Sequence, residues 1–556
     1  MSLARVELTE PVTFRRVFEQ AVARNGSTEA LVTDAGRITY AALGADVRRA
    51  ADRMAAAGVG RGHHVGLLLG NSIEWATLCY AAASIGAITV PLNTRFRADE
   101  LRFCLNQARV ETLFFARRFL KADFLDLIQK IEPAVATGLP GSVLPHLRRA
   151  VMLGDEAAPA GVTPFRTFME GTPDARRYDA AGHGEEHRES ASPDDTLLIQ
   201  YTSGTTAFPK GVMLSHRNML QMAAAVSARI GVRPDDRYFS IRPFAHVGGS
   251  TMTLFVSLVS GATVVTLPAF DLPKTLRMLE EERCTLVSGN DTIFQMLLAH
   301  PQLDPAKLHL RGGWAAVDPE VMRQIHEVLG ARAMVNAYGL SEASPNVVMQ
   351  DSRDPPESRL EAWAAPHDGL EVRIADPETG TIRGPREPGE IQVRGWSLMK
   401  GYYDMPEETA KAIGPDGWLR SGDLGEMDER GRIRMIGRLK DVFRVGGENV
   451  SPAEVEATIL EHPAVGVAQV VGVPDARLVE VAAAYVQPKA GAALTEKEIV
   501  DWCASRCANF KVPRYVRIVA SFDWAQVTAS GKIQKGPLRE QALQDFGLAE
   551  AGARQR

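Results

Sequence analysis

The sequence predicts an α/β protein, with a large N-terminal domain of layered sheets and helices followed by a small α+β domain at the C-terminus. Through most of the chain, short β-branched runs alternate with amphipathic stretches, which is typical of parallel sheets covered by helices. After "GRLKD", Gly437 to Asp441, a smaller set of strands and helices follows. Because 556 residues exceed what one hydrophobic core supports, we place the domains at residues 1–438 and 439–556.

The N-terminal domain opens with helices and buried strands in alternation. The segment "TFRRVFEQAVARNG" predicts a helix with Thr13 as its N-cap and Gly26 as its stop. "HVGLLLGNS" and "AITVPLN" predict strands on either side of the helix "IEWATLCYAAASIG". From about Gly138 to Asp195 the periodicity is weak and Gly, Pro, Ala and charged residues accumulate, which indicates a surface excursion or a mobile connection.

A polar loop follows the next predicted strand. "TLLIQ" predicts a strand, "YTSGTTAFPKG" from Tyr201 to Gly211 a loop, and "SHRNMLQMAAAVSARIG" a helix that Ser215 caps. Backbone N–H groups, small hydroxyls and one ammonium at such a position suit phosphate groups. The spacing differs from the GxxxxGK[ST] pattern, and a solvated turn is an equally good interpretation of the loop alone.

The remaining elements are predicted from apolar runs. The most apolar span, Met252 to Phe270, contains Ser, Thr, Gly and Pro, and it predicts a buried helix, a turn at Gly261 and a strand "ATVVTL" rather than a membrane crossing. In the small domain we predict strands at "GVAQVVGV", "VAAAYVQP" and "YVRIV" and helices at "SPAEVEATILEH" and "TEKEIVDWCAS".

Composition argues against several classes of function. The net charge of -5 gives no electrostatic reason to expect nucleic acid or an anionic membrane as the main partner. Five cysteines do not suit a disulfide framework and indicate a reducing compartment, while Cys503 and Cys507 alone do not make a zinc site. The N-terminus lacks the apolar core of a signal peptide. We therefore expect a cytoplasmic protein without a transmembrane segment.

Five motifs occur in a fixed order along the chain. They are "YTSGTTAFPKG", "NAYGLSEAS" from Asn336 to Ser344, "GWLRSGDLG" from Gly417 to Gly425, "GRLKDVFRVGGENVSPAEVE", and "TASGKIQK" from Thr528 to Lys535. In this set the chain resembles the adenylate-forming (AMP-binding) superfamily, in its branch of acyl-CoA synthetases for fatty or aryl acids. The resemblance implies that the small α+β C-terminal domain is mobile.

The resemblance implies an enzyme that activates an organic carboxylic acid with ATP, Mg²⁺ and CoA. In this family a carboxylate attacks the α-phosphate of ATP, pyrophosphate leaves, and a thiol then displaces AMP from the acyl-AMP. Hydrogen-bond donors, a divalent cation and a lysine are needed because the reacting anions are crowded. The expected partners are a fatty, cyclic or aromatic acid, ATP and CoA, and a homodimer is compatible with the resemblance.

Matching motif positions assigns the site residues. The resemblance implies three catalytic residues, with Lys532 between the carboxylate and the α-phosphate, Ser341 at the α-phosphate and Glu342 as the Mg²⁺ ligand. Asp423 would accept from both ribose hydroxyls, Tyr338 would lie against adenine and Arg438 would reach ribose or phosphate. The full implied set for the nucleotide is Thr202, Ser203, Gly204, Thr205, Thr206, Lys210, Gly313, Asn336, Ala337, Tyr338, Asp423 and Arg438.

One position in the phosphate loop departs from the family. Ala207 stands where a Gly is usual, which costs about 1 kcal/mol if the position requires a positive φ. We expect a working loop with altered mobility.

The acyl pocket is implied to include His246, Val247, Gly248, Trp314 and Gly339. His246 would gate the pocket, and a satisfied half-buried histidine is an equally good interpretation. Trp314 either shapes the pocket or belongs to the core, and Gly339 matches a position where acetyl-CoA synthetases carry Trp. Amino-acid-activating relatives keep an Asp near "PFAHVGGS", but no acidic residue lies between Arg242 and Leu267, which favours an uncharged substrate tail.

The acceptor and the hinge are also implied by the resemblance. Gly446 and Gly447 match the pantetheine passage, and Lys440 in "GRLKD" matches the hinge about which the small domain rotates. CoA is the favoured acceptor. The alternatives are an acyl-AMP ligase that loads a free-standing carrier protein, an oxidase of the luciferase kind, and a nucleotide-binding relative that has lost catalysis.

Overall fold

The computed structural model describes residues 12–154, 156–171, 191–202, 209–445, 448–475, 477–527 and 533–548. The chain has a mixed α/β architecture, as the sequence predicts, with a large N-terminal domain of sheets and helices and a smaller C-terminal domain. Its internal contacts form two compact units. The first unit comprises Met1–Ser288, Gly339–Val347 and Gly395–Pro415, and the second comprises Gly289–Tyr338, Val348–Arg394 and Asp416–Arg556.

The first unit consists of helices packed on sheets. Its α-helices are Phe14–Asn25, Tyr40–Ala56, Ile73–Ser84, Ala98–Gln107, Phe124–Ile131, Phe165–Glu170, His216–Ile230, Val247–Gly249, Val256–Ser260, Leu272–Glu281 and Pro406–Ala412. Shorter turns of other helix types are Pro133–Ala136, Ser250–Phe255 and Ser341–Ala343. A small hairpin joins Arg118–Phe119 to Ala122–Asp123.

Two sheets organise this unit. The strands of one follow the order Gly401–Tyr402, Lys210–Ser215, Thr196–Thr202, Ile88–Pro91, His64–Leu68, Thr112–Ala116, Arg149–Leu153 and Val162–Pro164. The other runs from Leu286–Asn290, which begins in this unit, through Arg237–Ser240, Thr263–Val265, Glu29–Val32 and Arg37–Thr39. Most neighbouring strands are parallel, as expected for apolar strands covered on both faces.

The predicted elements near the N-terminus are confirmed with small changes at their ends. The first helix is Phe14–Asn25, preceded by Thr13, whose side chain makes no capping hydrogen bond, and Gly26 after it has right-handed helical angles. Phe14 packs against Tyr80 and Phe255 of two later helices, with ring centroids 5.0 Å and 5.4 Å away. These buried aromatic contacts hold the helix where its apolar stripe predicts.

Two sequence interpretations in this unit are wrong. The segment from Lys210 to Ser215 is a strand antiparallel to Thr196–Thr202, so the polar loop joins two strands instead of a strand and a helix. Part of the predicted surface excursion is also sheet, since Arg149–Leu153 pairs with Thr112–Ala116 and buries Ala150, Val151 and Met152. In both places a short apolar run is flanked by polar residues, and pairing with distant strands determines its conformation.

The second unit contains shorter helices and more antiparallel pairing. Its α-helices are Asp291–Leu298, Pro319–Glu327, Pro356–Arg359, Pro452–Leu460, Glu496–Ala504 and Lys535–Asp545, and 3₁₀ turns are Pro305–Lys307, Leu439–Asp441 and Asn509–Lys511. Gly312–Ala316, Ala333–Tyr338, Val348–Met349 and Ala365–Pro366 are neighbouring strands. A separate antiparallel sheet has the order Leu370–Ala375, Gly389–Gly395, Leu419–Met427 and Ile433–Arg438.

The C-terminal part of this unit matches the sequence prediction closely. Predicted strands correspond to Val465–Asp475, Val479–Pro488 and Tyr515–Ile518, which share a sheet with Phe443–Val445 and Glu448–Val450. The two predicted helices correspond to Pro452–Leu460 and Glu496–Ala504. A core that includes Val470, Tyr485 and Ile499 lies between the sheet and its helices. The long alternation of apolar residues explains why these elements are readable from sequence.

Across the described ranges, no helix is both long enough and apolar enough to cross a membrane. The apolar span from Met252 forms helical turns that end at Gly261, which has φ 75°, and the strand Thr263–Val265 follows. All five cysteines are free thiols, and every one but Cys507 is buried.

Ser215 caps the helix His216–Ile230 as predicted, and replacing it tests this local design. Its Oγ accepts the N–H of Asn218 at 3.1 Å, and the Asn218 amide oxygen accepts the N–H of Ser215 at 3.0 Å. Ser215→Ala removes the acceptor, so the free energy of unfolding should fall by about 1 kcal/mol. Urea denaturation measures it, with Ser215→Thr as the control that keeps the hydroxyl. An unchanged midpoint for Ser215→Ala would contradict the cap.

Candidate active site

The phosphate-loop motif lies on a hairpin of the first unit. Its strands Thr196–Thr202 and Lys210–Ser215 are antiparallel, and their register places Thr202 opposite Lys210. Ser203, Gly204, Thr205, Thr206 and Ala207 lie outside the described residues. The hairpin thus presents Lys210 at the start of its second strand, directly after the motif loop.

Lys210 is surrounded by residues from a distant part of the chain. The strand Gly401–Tyr402 pairs with the hairpin, with Tyr402 opposite Val212. As a result, the Nζ of Lys210 lies 5.0 Å from the centroid of the Tyr402 ring, within range of a cation–π contact. The same ammonium forms an ion pair with Glu408 of the helix Pro406–Ala412. Hydrogen bonds from Lys210 and then Lys411 lower the pKa of Glu408 to about 2.

Glu342 occupies the short turn Ser341–Ala343 of the same unit. Its Oε1 accepts a hydrogen bond from the hydroxyl of Tyr402 at 2.9 Å, and its main-chain oxygen accepts the N–H of Met399 at 2.8 Å. Burial, and then the neighbouring Glu342 carboxylate, raise the pKa of Tyr402, so the phenol remains a donor. Ser341 beside it is buried. Tyr402 therefore lies between the carboxylate of Glu342 and the ammonium of Lys210.

Sequence reasoning missed Tyr402 and Glu408. Both lie in "GYYDMPEE", about two hundred residues after the phosphate loop, and the five motifs do not include this stretch. The local signal was an aromatic pair followed by two glutamates. The pairing of this stretch with the strand Lys210–Ser215 is what places Tyr402 and Glu408 beside Lys210.

In the second unit, three predicted nucleotide residues from separate motifs meet. The register between Leu419–Met427 and Ile433–Arg438 places Asp423 opposite Arg438, and the Arg438 Nε lies 3.2 Å from Asp423 Oδ1. The hydroxyl of Tyr338 donates to Asp423 Oδ2 at 2.8 Å. Burial, followed by the charge of Asp423, raises the pKa of Tyr338 well above its usual value. Asp423 is only 4% exposed, so these donors compensate for the burial of its charge.

The other predicted nucleotide residues lie on two parallel strands of this unit. Gly313 pairs with Met334, and Trp314 pairs with Val335. Asn336 donates its side-chain N–H to the main-chain oxygen of Val317 at 2.7 Å and its amide oxygen accepts the N–H of Ala337 at 2.9 Å. Trp314 is buried at 6% exposure, which agrees equally with a pocket wall and with a core residue.

The segment predicted to line the acyl pocket is tightly packed. His246 Nδ1 accepts the N–H of Gly248 at 3.0 Å, and Val247 is buried. A Cβ on Gly248 would stand 3.0 Å from Cδ of the buried Arg242, whose pKa burial lowers to about 10. Gln200 holds the segment by donating to the main-chain oxygen of Ala245 at 2.7 Å.

Gly339 is also closely packed by backbone. A Cβ there would lie 2.0 Å from the main-chain oxygen of Pro345 and 2.5 Å from Cα of Asn346. The structure thus gives a packing reason for glycine at this position, independent of substrate size, and its role in the acyl pocket stays a prediction.

Of the remaining predicted residues, only Lys440 is among the described residues. Lys440 is exposed in the turn Leu439–Asp441, where Val442 donates its N–H to Arg438 at 3.2 Å. Gly446, Gly447 and Lys532 lie outside the described residues. Val527 and Ile533, the described residues on either side of the segment with Lys532, form an antiparallel bridge.

Comparisons with known proteins cover both parts of the chain. Residues 18–403 match the sequence family of AMP-binding enzymes, and residues 454–532 match the C-terminal domain of these enzymes. A 3-[(3aS,4S,7aS)-7a-methyl-1,5-dioxo-octahydro-1H-inden-4-yl]propanoyl:CoA ligase from Rhodococcus jostii is 35% identical, over 96% of this chain and 99% of its own. A mitochondrial medium-chain acyl-CoA ligase from Bos taurus is 33% identical, over 96% of this chain and 88% of its own.

Solved structures are also similar to this chain over nearly its whole length. An anthranilate CoA ligase in complex with anthranoyl-AMP has a TM-score of 0.85 at 25% identity and covers 98% of this chain and 99% of its own. An ATP-bound MatB from Rhodopseudomonas palustris has a TM-score of 0.79 at 27% identity, covering 95% of this chain and 99% of its own.

The close packing around Gly339 gives a prediction. Gly339→Ala must displace the backbone of Pro345 or Asn346, and this shift also moves the turn that carries Ser341 and Glu342. We expect a loss of about 1–3 kcal/mol in stability and at least about a tenfold lower rate of acid-dependent pyrophosphate release.

Gly36→Ala is the control, because nothing lies within 4 Å of its added Cβ. Denaturation midpoints and initial rates are compared for both variants. A stable Gly339→Ala protein that keeps its rate but accepts only shorter acids would instead place Gly339 in the acyl pocket.

Proposed function

The chain belongs to the family of AMP-binding enzymes, and we propose that it makes CoA thioesters of fatty, cyclic or aromatic carboxylic acids. It is an AMP-forming acid–thiol ligase: it activates a carboxylic acid to acyl-AMP with ATP and transfers the acyl group to CoA. The observation that supports the assigned site best is the cluster of Tyr338, Asp423 and Arg438, because three separate motifs converge on it.

We assign the nucleotide end of the site from this cluster. The carboxylate of Asp423 accepts from the ribose hydroxyls, which replace the donors it now has in Tyr338 and Arg438. Arg438 is half exposed, so its guanidinium can turn towards ribose or phosphate at little cost. Asn336 and Ala337, which directly precede Tyr338 in the strand Ala333–Tyr338, face adenine.

The phosphate end of the site is assigned to the first unit. Lys210 and the hydroxyls and N–H groups of Thr202 to Thr206 bind the β- and γ-phosphates, and Ser341 binds the α-phosphate. A carboxylate oxygen of the acid attacks the α-phosphorus as the bond to pyrophosphate breaks. Lys532 stabilises the charge that moves between the two groups. The sulfur of CoA then attacks the acyl carbon, the bond to AMP breaks, and the thiol proton passes to solvent.

Glu342 fits the role of Mg²⁺ ligand. Within the described ranges, no three His, Cys, Asp or Glu side chains group closely enough to hold a metal, so protein groups alone do not cage a cation. This matches Mg²⁺, which is held by one or two carboxylates with phosphate oxygens and water. The hydrogen bond from Tyr402 orients the Glu342 carboxylate for this purpose. Bound Mg²⁺ would supply neutralisation of phosphate charge.

The proposed substrate class is supported by the uncharged pocket segment and by the relatives. No Asp or Glu occurs between Arg242 and Leu267, so the ammonium of an amino acid would lack a carboxylate partner there. Two relatives are named for a ring-bearing propanoyl group and for medium-chain acyl groups. For the acceptor, we propose that Gly446 and Gly447 line the passage for CoA.

We also propose domain alternation about Lys440, with domains at residues 1–438 and 439–556, and a cytoplasmic location. The turn Leu439–Asp441 supports the hinge, because none of its residues is buried and a change in its backbone angles would disrupt no core packing. Five free thiols support a reducing compartment.

An acid panel tests the proposed function. Octanoate, benzoate and a ring-bearing propanoate should each release pyrophosphate and AMP with ATP and Mg²⁺, and CoA should speed AMP release while acyl-CoA forms. We expect kcat/KM for these acids to exceed that for phenylalanine by at least about tenfold, since the amino acid would bring an unpaired charge. Acid-dependent pyrophosphate release without acyl-CoA would favour a carrier protein as acceptor. No acid-dependent release would contradict the assignment.

Two variants separate the half-reactions. Lys532→Ala removes the positive charge at the reacting phosphate, so single-turnover adenylation should slow by about 10²-fold or more while thioester formation from supplied acyl-AMP survives.

Lys440→Pro fixes φ at the hinge, so adenylation should survive while thioester formation slows. Lys440→Ala is the control for the loss of the side chain. If either variant slowed adenylation and thioester formation equally, the role assigned to the replaced residue would be wrong.

A further inference from the structure

Among the described residues, Glu408 contacts the ammonium of Lys210 directly, and neither the motifs nor the proposed mechanism give it a role. The Lys210 side chain is 17% exposed and that of Glu408 30% exposed, so the pair is reached by solvent on one side. An ion pair this open contributes little to folding stability. Its position on the phosphate-binding lysine therefore requires another explanation.

The fold places Glu408 at this position by several backbone contacts. Tyr403 donates its N–H to the main-chain oxygen of Gly211, which fixes the strand Gly401–Tyr402 beside Lys210. Thr409 accepts the N–H of Tyr402 at 2.8 Å and donates to Met405 at 2.9 Å, which fixes the helix Pro406–Ala412 beside that strand. The carboxylate of Glu408 thus lies on a supported helix rather than on a free loop.

Glu408 has a second cation available. Lys411, one turn further along the helix, donates to Glu408 Oε1 at 2.6 Å, while Lys210 pairs with Oε2. If the ammonium of Lys210 turns to a phosphate, Glu408 keeps Lys411 and does not become an isolated charge. The exchange of the Lys210 partner from Glu408 to a phosphate therefore costs little free energy.

We propose that Glu408 competes with the phosphates for Lys210, holding the lysine before ATP binds and recovering it as pyrophosphate leaves. This rests on the proposed function, in which Lys210 binds the β- and γ-phosphates. A carboxylate and a phosphate accept the same N–H⁺ hydrogen bonds, so each phosphate contact to Lys210 competes with an existing one. The negative charge of Glu408 also repels the polyphosphate at short range. Both effects weaken the retention of pyrophosphate.

Titration of the protein with inorganic pyrophosphate and Mg²⁺ in a calorimeter tests the proposal. Glu408→Gln should lower the Kd of pyrophosphate by at least about threefold, because Lys210 loses its competitor. Product inhibition of adenylation by pyrophosphate should strengthen by the same factor. Glu407→Gln is the matched control, since Glu407 is exposed on the same helix and has the same charge. Its Kd should remain that of the unchanged protein.

Glu408→Asp adds a second variant for the case in which Glu408→Gln does not fold. Aspartate keeps the charge but is one methylene shorter, so its ion pair with Lys210 weakens. The Kd of pyrophosphate should therefore lie between those of the unchanged protein and Glu408→Gln. An unchanged or higher Kd in Glu408→Gln or Glu408→Asp would overturn the proposal, and a higher one would show that Glu408 positions Lys210 for phosphate.

Lys210→Met separates the proposal from its premise. If the unchanged protein binds pyrophosphate and Lys210→Met weakens that binding, the phosphate role of Lys210 stands, and the Glu408 variants decide the competition alone. If Lys210→Met binds pyrophosphate as tightly as the unchanged protein, the premise and the proposal both fail.

Discussion

The antiparallel pairing of Gly401–Tyr402 with Lys210–Ser215 is the interaction on which the arrangement of charges around Lys210 depends. It joins two segments that are almost two hundred residues apart, and through it Lys210, Tyr402 and Glu408 come within contact of one another. The same strand brings the Tyr402 hydroxyl to Glu342. Because main-chain hydrogen bonds set the register, the relative positions of an ammonium and two carboxylates are fixed before any ligand arrives.

The cluster of Tyr338, Asp423 and Arg438 is held in a comparable way within the second unit. A cross-strand register places Asp423 opposite Arg438, and the strand Ala333–Tyr338 supplies the phenol that completes the cluster. The paired strands hold the backbone of Asp423 and Arg438 in register without support from a loop, while the half-exposed Arg438 side chain keeps the freedom to turn. In both units, paired strands place residues of the proposed site: Lys210, Tyr402, Tyr338 and Arg438 lie at strand ends and Asp423 lies within a strand.

Sequence alone predicts the elements with strong periodicity and the residues that lie in motifs. The helix from Phe14, the strands near His64 and Ile88, and the C-terminal sheet all follow from their apolar patterns. Tyr338, Asp423 and Arg438 were named from their motifs and they do meet. The strand Lys210–Ser215 was missed because six residues after a polar loop carry too little pattern, and pairing with both Thr196–Thr202 and the distant Gly401–Tyr402 decides their conformation.

Tyr402 and Glu408 could not be found from local signals, since their importance comes from what they contact. The packing at Gly339 shows the same limit in another form: a small residue in a sequence does not reveal whether space beside it is open or filled by backbone.

A common feature of the described site residues is that each charge already has a partner within its own unit. Lys210 has Glu408, Asp423 has Arg438 and Tyr338, and Glu342 has Tyr402. A buried charge such as that of Asp423 would be costly without partners, so its contacts with Tyr338 and Arg438 allow that cluster to exist without a ligand. Substrate binding must then replace internal hydrogen bonds with similar ones to the substrate. Only the difference in free energy between the two sets contributes to affinity. A ligase that must release both pyrophosphate and AMP in each cycle benefits from that small difference, because tight retention of either product would limit turnover.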